Sequence, residues 1–328
     1  MGEETQMRFH TTVALCAAIA APSLSFAQDY PSRPIQMVVP WGAGGATDAV
    51  ARIMASILQE DLGVPVNVVN RTGGSGVVGH SAISNAAPDG YTIGLATVEV
   101  SMMHWQGLTD MTYEDFDVLG LVNYDPAGIM VRADSGFSSP GELIDAIRAQ
   151  PAGSFKASGS GQGSIWHLAL AGWLADQGID PNHVTWVPSQ GTAPALTDLM
   201  AGGVDMVTSQ LAEADAMIRA NRIHPLGTMG AERLPTFPDT PTINEDGTGT
   251  WTVGAWRGIF APAGLPDDVR ARLTDAVAAA AASPAYTDFM NSRGFGVLWV
   301  PADEAVSFIA ESDASFGEVM AAAGLRGQ

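Results

Sequence analysis

The sequence predicts an α/β fold of two domains that close on each other like a clamshell, each a mostly parallel sheet flanked by helices. Strand-like apolar runs alternate with helix-like amphipathic segments, which is the order of parallel α/β sheets. This alternation stops and begins again near the middle of the chain. The 328 residues, of which 46% are hydrophobic, are enough to build two such cores.

The first set of elements begins at residues 35–39, an apolar run that ends at Pro40 and indicates a buried strand. A helix is predicted from Thr47 to Leu62, because apolar residues recur on one face and Gly63 ends the pattern. A strand, a helix and a strand complete this set, at 66–69, 77–86 and 91–96.

The second set follows the same order in the middle of the chain. Ser139 is placed to cap a helix over 141–148. The other elements are strands at 127–131, 155–157, 184–187, 204–208 and 223–228, with helices at 164–176 and 193–201. The tail resumes with a strand and three helices, at 253–261, 266–282, 284–293 and 302–323, which we expect to complete the first set.

These two sets predict a discontinuous first domain. Residues 28–124 and 251–328 form domain I, and residues 125–250 form domain II. The chain then crosses between the domains twice, and a double crossing suits closure around a ligand.

The first 27 residues have the order of a secretory signal peptide. Arg8 precedes an apolar run over 13–21, and the small residues Ser25 and Ala27 precede the predicted cut. The apolar run is too short to span a membrane. We expect residues 1–27 to be cleaved on export and the mature chain to be soluble, without membrane insertion. The alternative is an N-terminal helix that packs on the domain.

The composition excludes several partners and chemistries. A formal net charge of −20 repels nucleic acid and anionic lipid. The single cysteine, Cys16, falls within the predicted signal peptide, so the mature chain has neither a disulfide nor a thiolate metal site. No two histidines have the sequence spacing typical of metal ligands, and no sequence motif combines a nucleophile with a general base. We therefore expect no metal, no cofactor and no enzymatic activity.

Four loops rich in glycine or hydroxyl groups follow predicted strands and open helices. Ligands bind at the carboxyl ends of strands in open α/β sheets, and free N–H groups at helix starts favour anions. The predicted ligand-binding residues of these loops are Trp41, Gly42, Ala43, Gly44, Gly45, Ala46, Thr47, Asp48, Gly76, Ser158, Gly159, Ser160, Gly161, Ser164, His167, Gln190, Gly191, Thr192 and Ala193. Asp205 and Gln210 end the next strand, and we expect them to point into the same opening.

Two features of these loops have alternative interpretations. Residues 74–79 fit the dinucleotide pattern G-x-G-x-x-G, with Glu99 twenty residues further on. The loop before them is longer than the tight turn of that fingerprint, so a second wall of the ligand cleft is the better interpretation. His167 either donates to a ligand or is a satisfied structural histidine.

Motifs along the whole mature chain resemble the solute receptors of tripartite tricarboxylate transporters, also called the Bug family. They lie at residues 30–35, 38–40, 44–48, 70–71, 88–92, 191–199, 203–205, 238–242 and 261–264. The resemblance implies a periplasmic, type II-like binding-protein clamshell that hands its ligand to a two-component integral-membrane permease. It also implies a carboxylate held by the first loop, residues 40–48, and by the Gly/Ser loop of domain II, residues 158–164, and by position it adds Thr97 to the ligand set.

The chain departs from the family pattern in its ligand loops. Ser189 and Gln190 replace a common Tyr-Lys pair, and Trp41 stands where Phe or Tyr is common. Because loss of that lysine lowers the positive potential near the cleft, we predict a mono- or dicarboxylate rather than citrate, with an aromatic or apolar body against Trp41. A ligand-sensing receptor for a membrane kinase and a periplasmic enzyme acting on a carboxylic acid are the alternatives. We expect a monomer.

Overall fold

The computed structural model describes residues 30–327, and the predicted signal peptide lies outside them. The strands are β1 (Ile35–Val39), β2 (Val66–Asn70), β3 (Thr92–Thr97), β4 (Phe116–Pro126), β5 (Gly128–Arg132), β6 (Lys156–Ser158), β7 (Thr185–Trp186), β8 (Met206–Ser209), β9 (Ile223–Thr228), β10 (Gly254–Pro262) and β11 (Val297–Val300). The helices are α1 (Ala46–Leu62), α2 (Val77–Ser84), α3 (Pro140–Ala149), α4 (Ile165–Asp176), α5 (Thr192–Ala201), α6 (Asp215–Arg219), α7 (Asp267–Ala281), α8 (Pro284–Arg293) and α9 (Ala302–Ala322).

The strands form two sheets. One has six strands in the order β11-β4-β10-β3-β1-β2, and the other has five in the order β7-β6-β8-β5-β9. The predicted α/β class is confirmed, but both sheets are mixed. β1, β2 and β3 are parallel, as are β6, β7 and β8, whereas β4, β5, β9, β10 and β11 pair antiparallel to their neighbours. A buried antiparallel strand covered on both faces has the same continuous apolar pattern as a parallel one, so sequence does not separate them.

Two strands of the six-stranded sheet, β4 and β11, lie where the sequence indicates no strand. β4 carries Asp117, Gly120, Asn123 and Asp125, which interrupt its apolar pattern. These polar groups are satisfied by neighbouring chain segments, because Asp117 accepts the N–H of Leu265 at 2.8 Å and Asn123 donates to another backbone carbonyl. Tertiary partners therefore override weak local strand propensity.

Hydrophobic packing on the two faces of the six-stranded sheet differs. One face is covered by α1, α7 and α8, where Met54, Leu58, Leu273 and Tyr286 are fully buried. On the other face, the core continues into the second sheet and takes in Trp173 of α4 and buried residues of α9. Full burial of one such side chain contributes roughly 1.5 to 3 kcal/mol. This shared core brings strand ends of both sheets to one opening.

None of the helices within residues 30–327 combines the length and the apolar composition that a membrane crossing requires.

Candidate ligand-binding cleft

A cavity of about 620 Å³ lies between the two sheets, a volume that suits a small organic ligand. One wall comes from loops after β1 and β2, the end of β3, and the middle of β10. The opposite wall comes from loops after β6, β7 and β8. The cavity thus sits at the carboxyl ends of parallel strands in both sheets, where open α/β sheets bind ligands.

Most of the predicted ligand residues meet in this cavity. Its lining includes Trp41, Gly42, Ala43, Gly45, Ala46, Thr47, Gly76, Thr97, Ser160, Gly161, Ser164, Gln190, Gly191 and Thr192. The lining also includes residues that were not predicted as ligands, namely Pro40, Thr72, Gly73, Gly74, Ser75, Glu99, Ile165, Trp166, Ser189, Glu213, Ala255 and Arg257. The remaining predicted residues, Gly44, Asp48, Ser158, Gly159, His167, Ala193, Asp205 and Gln210, lie outside the lining.

Three helices begin at the cavity without a side-chain cap. The residues before their first turns are Gly45 for α1, Ser164 for α4 and Gly191 for α5, and none makes a capping bond. Ser164 instead donates its hydroxyl to the carbonyl of Gly161 at 2.6 Å. By contrast, Ser139 caps α3. The uncapped first-turn N–H groups and the positive dipole ends of three helices therefore favour an anion in this cavity.

Arg257 supplies a buried positive charge at the same wall. It is only 5% exposed and forms an ion pair with Asp125 at 2.6 Å. Its Nε donates to Thr47 at 3.0 Å, and another nitrogen donates to Asn123. The sequence signal for this residue is an arginine inside the otherwise apolar strand β10, where only a partnered charge is tolerated.

A hydrogen-bond chain orients the indole ring of Trp41. Its Nε1 donates to the hydroxyl of Thr97 at 3.1 Å, and that hydroxyl donates to Glu99. His80 accepts the N–H of Thr97 at 3.1 Å and donates to the carbonyl of Gly76 at 2.8 Å. Burial lowers the pKa of His80 to about 4, so the ring is neutral near pH 7. These hydrogen bonds connect the loop after β1, which holds Trp41, and the loop after β2, which holds Gly76, to the end of β3.

Asp48 stabilises the loop between β1 and α1, residues 40–45, from behind the cavity wall. Its carboxylate accepts the N–H of Gly44, the amide of Asn70 and the guanidinium of Arg52, each at 2.9 Å. Asn70 also donates to the carbonyl of Trp41 at 2.8 Å, so the two loops are joined. Burial alone would raise the pKa of Asp48, but these hydrogen bonds hold it below its ordinary value. Asp48 thus supports the wall and does not line it.

Replacement of Asp48 by asparagine is expected to lower the free energy of unfolding by about 1 to 3 kcal/mol at neutral pH, since charged hydrogen bonds are lost. A depressed pKa contributes stability above the unfolded-state pKa of about 4, and this contribution disappears as pH falls through the folded-state pKa. Urea unfolding should therefore show that the difference in free energy of unfolding between wild type and Asp48→Asn is smaller at about pH 3.5 than at neutral pH. Asp145→Asn, at an exposed ion pair, is the control and should change little. An equal difference at both pH values would contradict this account.

Three predicted ligand residues between the end of β6 and the first turn of α4 have structural partners. Ser158 donates to the carbonyl of Val187 at 2.7 Å, and a Cβ on Gly159 would collide with the carbonyl oxygen of Thr208. His167 accepts the N–H of Gly163 at 3.0 Å and stacks on Trp186 with ring centroids 4.6 Å apart. Burial lowers the pKa of His167 to about 4, so it is neutral near pH 7. Of the two interpretations of His167, these contacts favour the structural one.

Asp205 and Gln210 lie at opposite ends of β8. Asp205 precedes the strand and accepts the N–H of Lys156 at 2.8 Å, so it sits at the edge of the sheet away from the cavity. The expectation that it points into the opening is corrected, because the amino end of a parallel strand faces the other edge. Gln210 follows the strand, is buried, and accepts a hydrogen bond from Arg257 at 3.4 Å.

Within residues 30–327, no three His, Cys, Asp or Glu side chains come together as a metal site would require. The groups that line the described cavity are helix N-termini, one arginine, two glutamates, hydroxyl groups and aromatic surface.

Comparison with known proteins identifies the family. The family model described as "Tripartite tricarboxylate transporter family receptor" matches residues 50–325. A UPF0065 protein of Bordetella pertussis is 32% identical to this chain, over 96% of this chain and 97% of its own length. The resemblance stated from the sequence motifs is thereby confirmed.

Solved structures give the same result for the fold. Periplasmic binding protein BugD is 30% identical with a TM-score of 0.78, covering 91% of this chain and all of its own. Rpa4515 of R. palustris, solved with adipate, is 28% identical with a TM-score of 0.80, covering 92% of this chain and all of its own. MatC from Rhodopseudomonas palustris, solved with bound malate, is 26% identical with a TM-score of 0.75, covering 88% and 99%. The predicted binding-protein clamshell is confirmed.

Proposed function

Because this chain belongs to the tripartite tricarboxylate transporter receptor family, a family of periplasmic solute-binding proteins, we propose that it captures a small mono- or dicarboxylate and delivers it to a two-component membrane permease. The observation that carries this proposal is the cavity between the sheets, where three uncapped helix N-termini and Arg257 converge. Such N–H groups hold an anion at short range even on a protein of net charge −20.

The charge of the lining supports a ligand with one or two carboxylates. In the described lining, Arg257 is the cationic side chain, and its charge is already paired with Asp125. Glu99 and Glu213 line the same space. A tricarboxylate such as citrate would add three negative charges to this enclosure, which we expect to be unfavourable. The adipate and malate complexes of two relatives show that similar proteins bind dicarboxylates.

Aromatic surface on both walls supports a ligand with an apolar or aromatic body. Trp41 lies on one wall, held by its hydrogen bond to Thr97, and Trp166 lies on the other. Large flat side chains contribute apolar contact area at low cost in conformational entropy. We propose that the ligand's carboxylate faces the helix starts and that its body lies against these rings.

Domain closure and export belong to the same proposal. We propose domain I at residues 28–124 and 251–328 and domain II at 125–250, closing around the ligand after removal of residues 1–27 on export to the periplasm. The two sheets are consistent with these boundaries, because β5 to β9 fall within 125–250 and the strands of the larger sheet lie outside that range except for the last two residues of β4. We propose that the bound acid is released unchanged, without turnover.

A thermal-shift screen of the mature chain, residues 28–328, tests this function. A ligand at about 100 times its dissociation constant should stabilise the protein by roughly 2.7 kcal/mol. We expect adipate, malate or benzoate to raise the melting temperature, with sugars and inorganic cations as negative controls. Chromatography of the released ligand should recover the same acid in full. A shift with citrate alone, or with sugars and no carboxylate, would overturn the proposal.

A further inference from the structure

Glu99 is a buried carboxyl group at the wall of the cavity. It is 6% exposed and lines the same space as Thr47 and Arg257. One of its oxygens accepts the hydroxyl of Thr97, whose own oxygen is occupied by the indole N–H of Trp41. Thr97 thus fixes the position of the carboxyl group, and it is the one described side chain that hydrogen-bonds to it.

The groups around Glu99 offset only part of the cost of ionising it at a buried site, because burial is the largest influence on its pKa. Arg257 on β10 is near enough to favour the ionised form, but its charge is shared with Asp125. His80 on α2, joined to Glu99 through Thr97, is neutral near pH 7. Across the cavity, Glu213 adds a second acidic group, exposed and accepting the hydroxyl of Ser209 at 3.2 Å.

A carboxylate ligand in this cavity would place a second negative charge in the enclosure that holds Glu99. Two carboxyl groups that share one desolvated site retain one proton between them, because both cannot ionise. Resting on the proposed function, we propose that Glu99 binds the ligand as a carboxylic acid. It donates a hydrogen bond to the ligand carboxylate, so that at a pH where Glu99 is ionised in the free protein each binding event takes up one proton from solvent.

Burial already raises the pKa of Glu99 in the unliganded protein, and the negative charge of the ligand raises it further. Binding that favours the protonated group is strongest at low pH and weakens as pH rises. Between the pKa of Glu99 in the free protein and its pKa in the complex, the dissociation constant increases by up to tenfold per pH unit. Outside that window the affinity is independent of this group.

Isothermal titration calorimetry with adipate, malate and benzoate tests the proposal. Titrations in two buffers of different ionisation enthalpy, repeated from about pH 5 to about pH 8, count the protons taken up per ligand. The wild-type protein should take up close to one proton in the window where affinity falls with pH. Glu99→Gln, which keeps a hydrogen-bond donor without a titratable group, should bind with no proton uptake and little pH dependence.

Glu213→Gln is the matched control, because it removes the other acidic side chain from the same lining. Proton uptake should persist in this variant. Binding of the acids by wild type without proton uptake at any pH would overturn the role of Glu99 and leave the receptor function intact, and so would persistent uptake in Glu99→Gln. Absence of binding to all three acids would overturn both. If Glu99→Gln does not fold, absence of proton uptake in wild type still overturns the role of Glu99, and uptake that persists in Glu213→Gln supports it.

Discussion

Replacement of Arg257 by methionine is expected to abolish carboxylate binding and to lower the free energy of unfolding by about 3 to 5 kcal/mol. The cost in stability arises because Asp125, whose side chain is 4% exposed, loses its cationic partner and becomes an uncompensated buried charge. Binding is lost because the cavity wall loses its positive charge and the donor that positions Thr47. Chemical unfolding measures the first effect, and calorimetric titration with adipate measures the second.

A double variant separates these two effects. Asp125→Asn removes the orphaned charge while keeping the oxygen that accepts the N–H of Gly296 at 2.7 Å. Arg257→Met with Asp125→Asn should therefore recover much of the lost stability but none of the binding. Arg257→Lys should also bind poorly, since one ammonium group cannot replace the fork that reaches Thr47, Asn123 and Asp125 together. Binding of adipate by the single methionine variant at wild-type affinity would show that Arg257 has no part in the site.

The loops that line the cavity were predictable because their chemistry is local. A strand, a Gly-rich turn and the start of a helix follow one another directly in the sequence, as at Gly45, Gly161 and Gly191. The order of such units also predicts that their loops meet at one edge of a sheet. These two facts explain why most of the predicted ligand residues line the cavity, although the prediction used no tertiary contact.

The residues that sequence missed act through tertiary contacts. The role of Arg257 depends on the pairing of β10 with β4, which places it beside Asn123, and on the approach of α1. β4 itself escaped prediction because its polar residues are satisfied by distant segments, namely β10, the turn after it and the residue before β11. Glu99 was noticed only as a match to a dinucleotide pattern, because its place at the wall follows from a short helical turn after β3.

Strand direction explains the error at Asp205. The sequence predicted a strand over 204–208 and β8 runs from Met206 to Ser209, so Asp205 lies at the amino end in either case, whereas Gln210 follows the carboxyl end. Apolar periodicity locates a strand but not its final residues, and side chains at its two ends face opposite edges of the sheet. His167 differs for another reason. The sequence shows that His167 lies near the start of α4, but it does not show that Trp186 of β7 stacks on its ring.

Replacement of Ala46 by proline is expected to weaken carboxylate binding about 10- to 100-fold while leaving the fold stable. Ala46 is the first residue of α1 and lines the cavity, and its N–H is among the uncapped donors. Proline removes that donor yet fits the first helical position, because Gly45 before it is already extended at φ −78° and ψ 173°. Loss of one hydrogen bond to a charged group corresponds to about 1.5 to 3 kcal/mol. Calorimetric titration with adipate gives the affinity, and a thermal melt without ligand reports the fold.

Ala302→Pro provides a matched control at another helix start. Ala302 is the first residue of α9, follows the extended residue Pro301, and lies in a helix that also lacks a side-chain cap. It is not part of the described cavity lining, so its replacement should leave the affinity for adipate unchanged. Equal affinities of the Ala46→Pro variant and the wild type would mean that the N-terminus of α1 does not hold the ligand. A loss confined to Ala46→Pro would instead assign the anion to a specific backbone donor, since the two variants differ in location and not in chemistry.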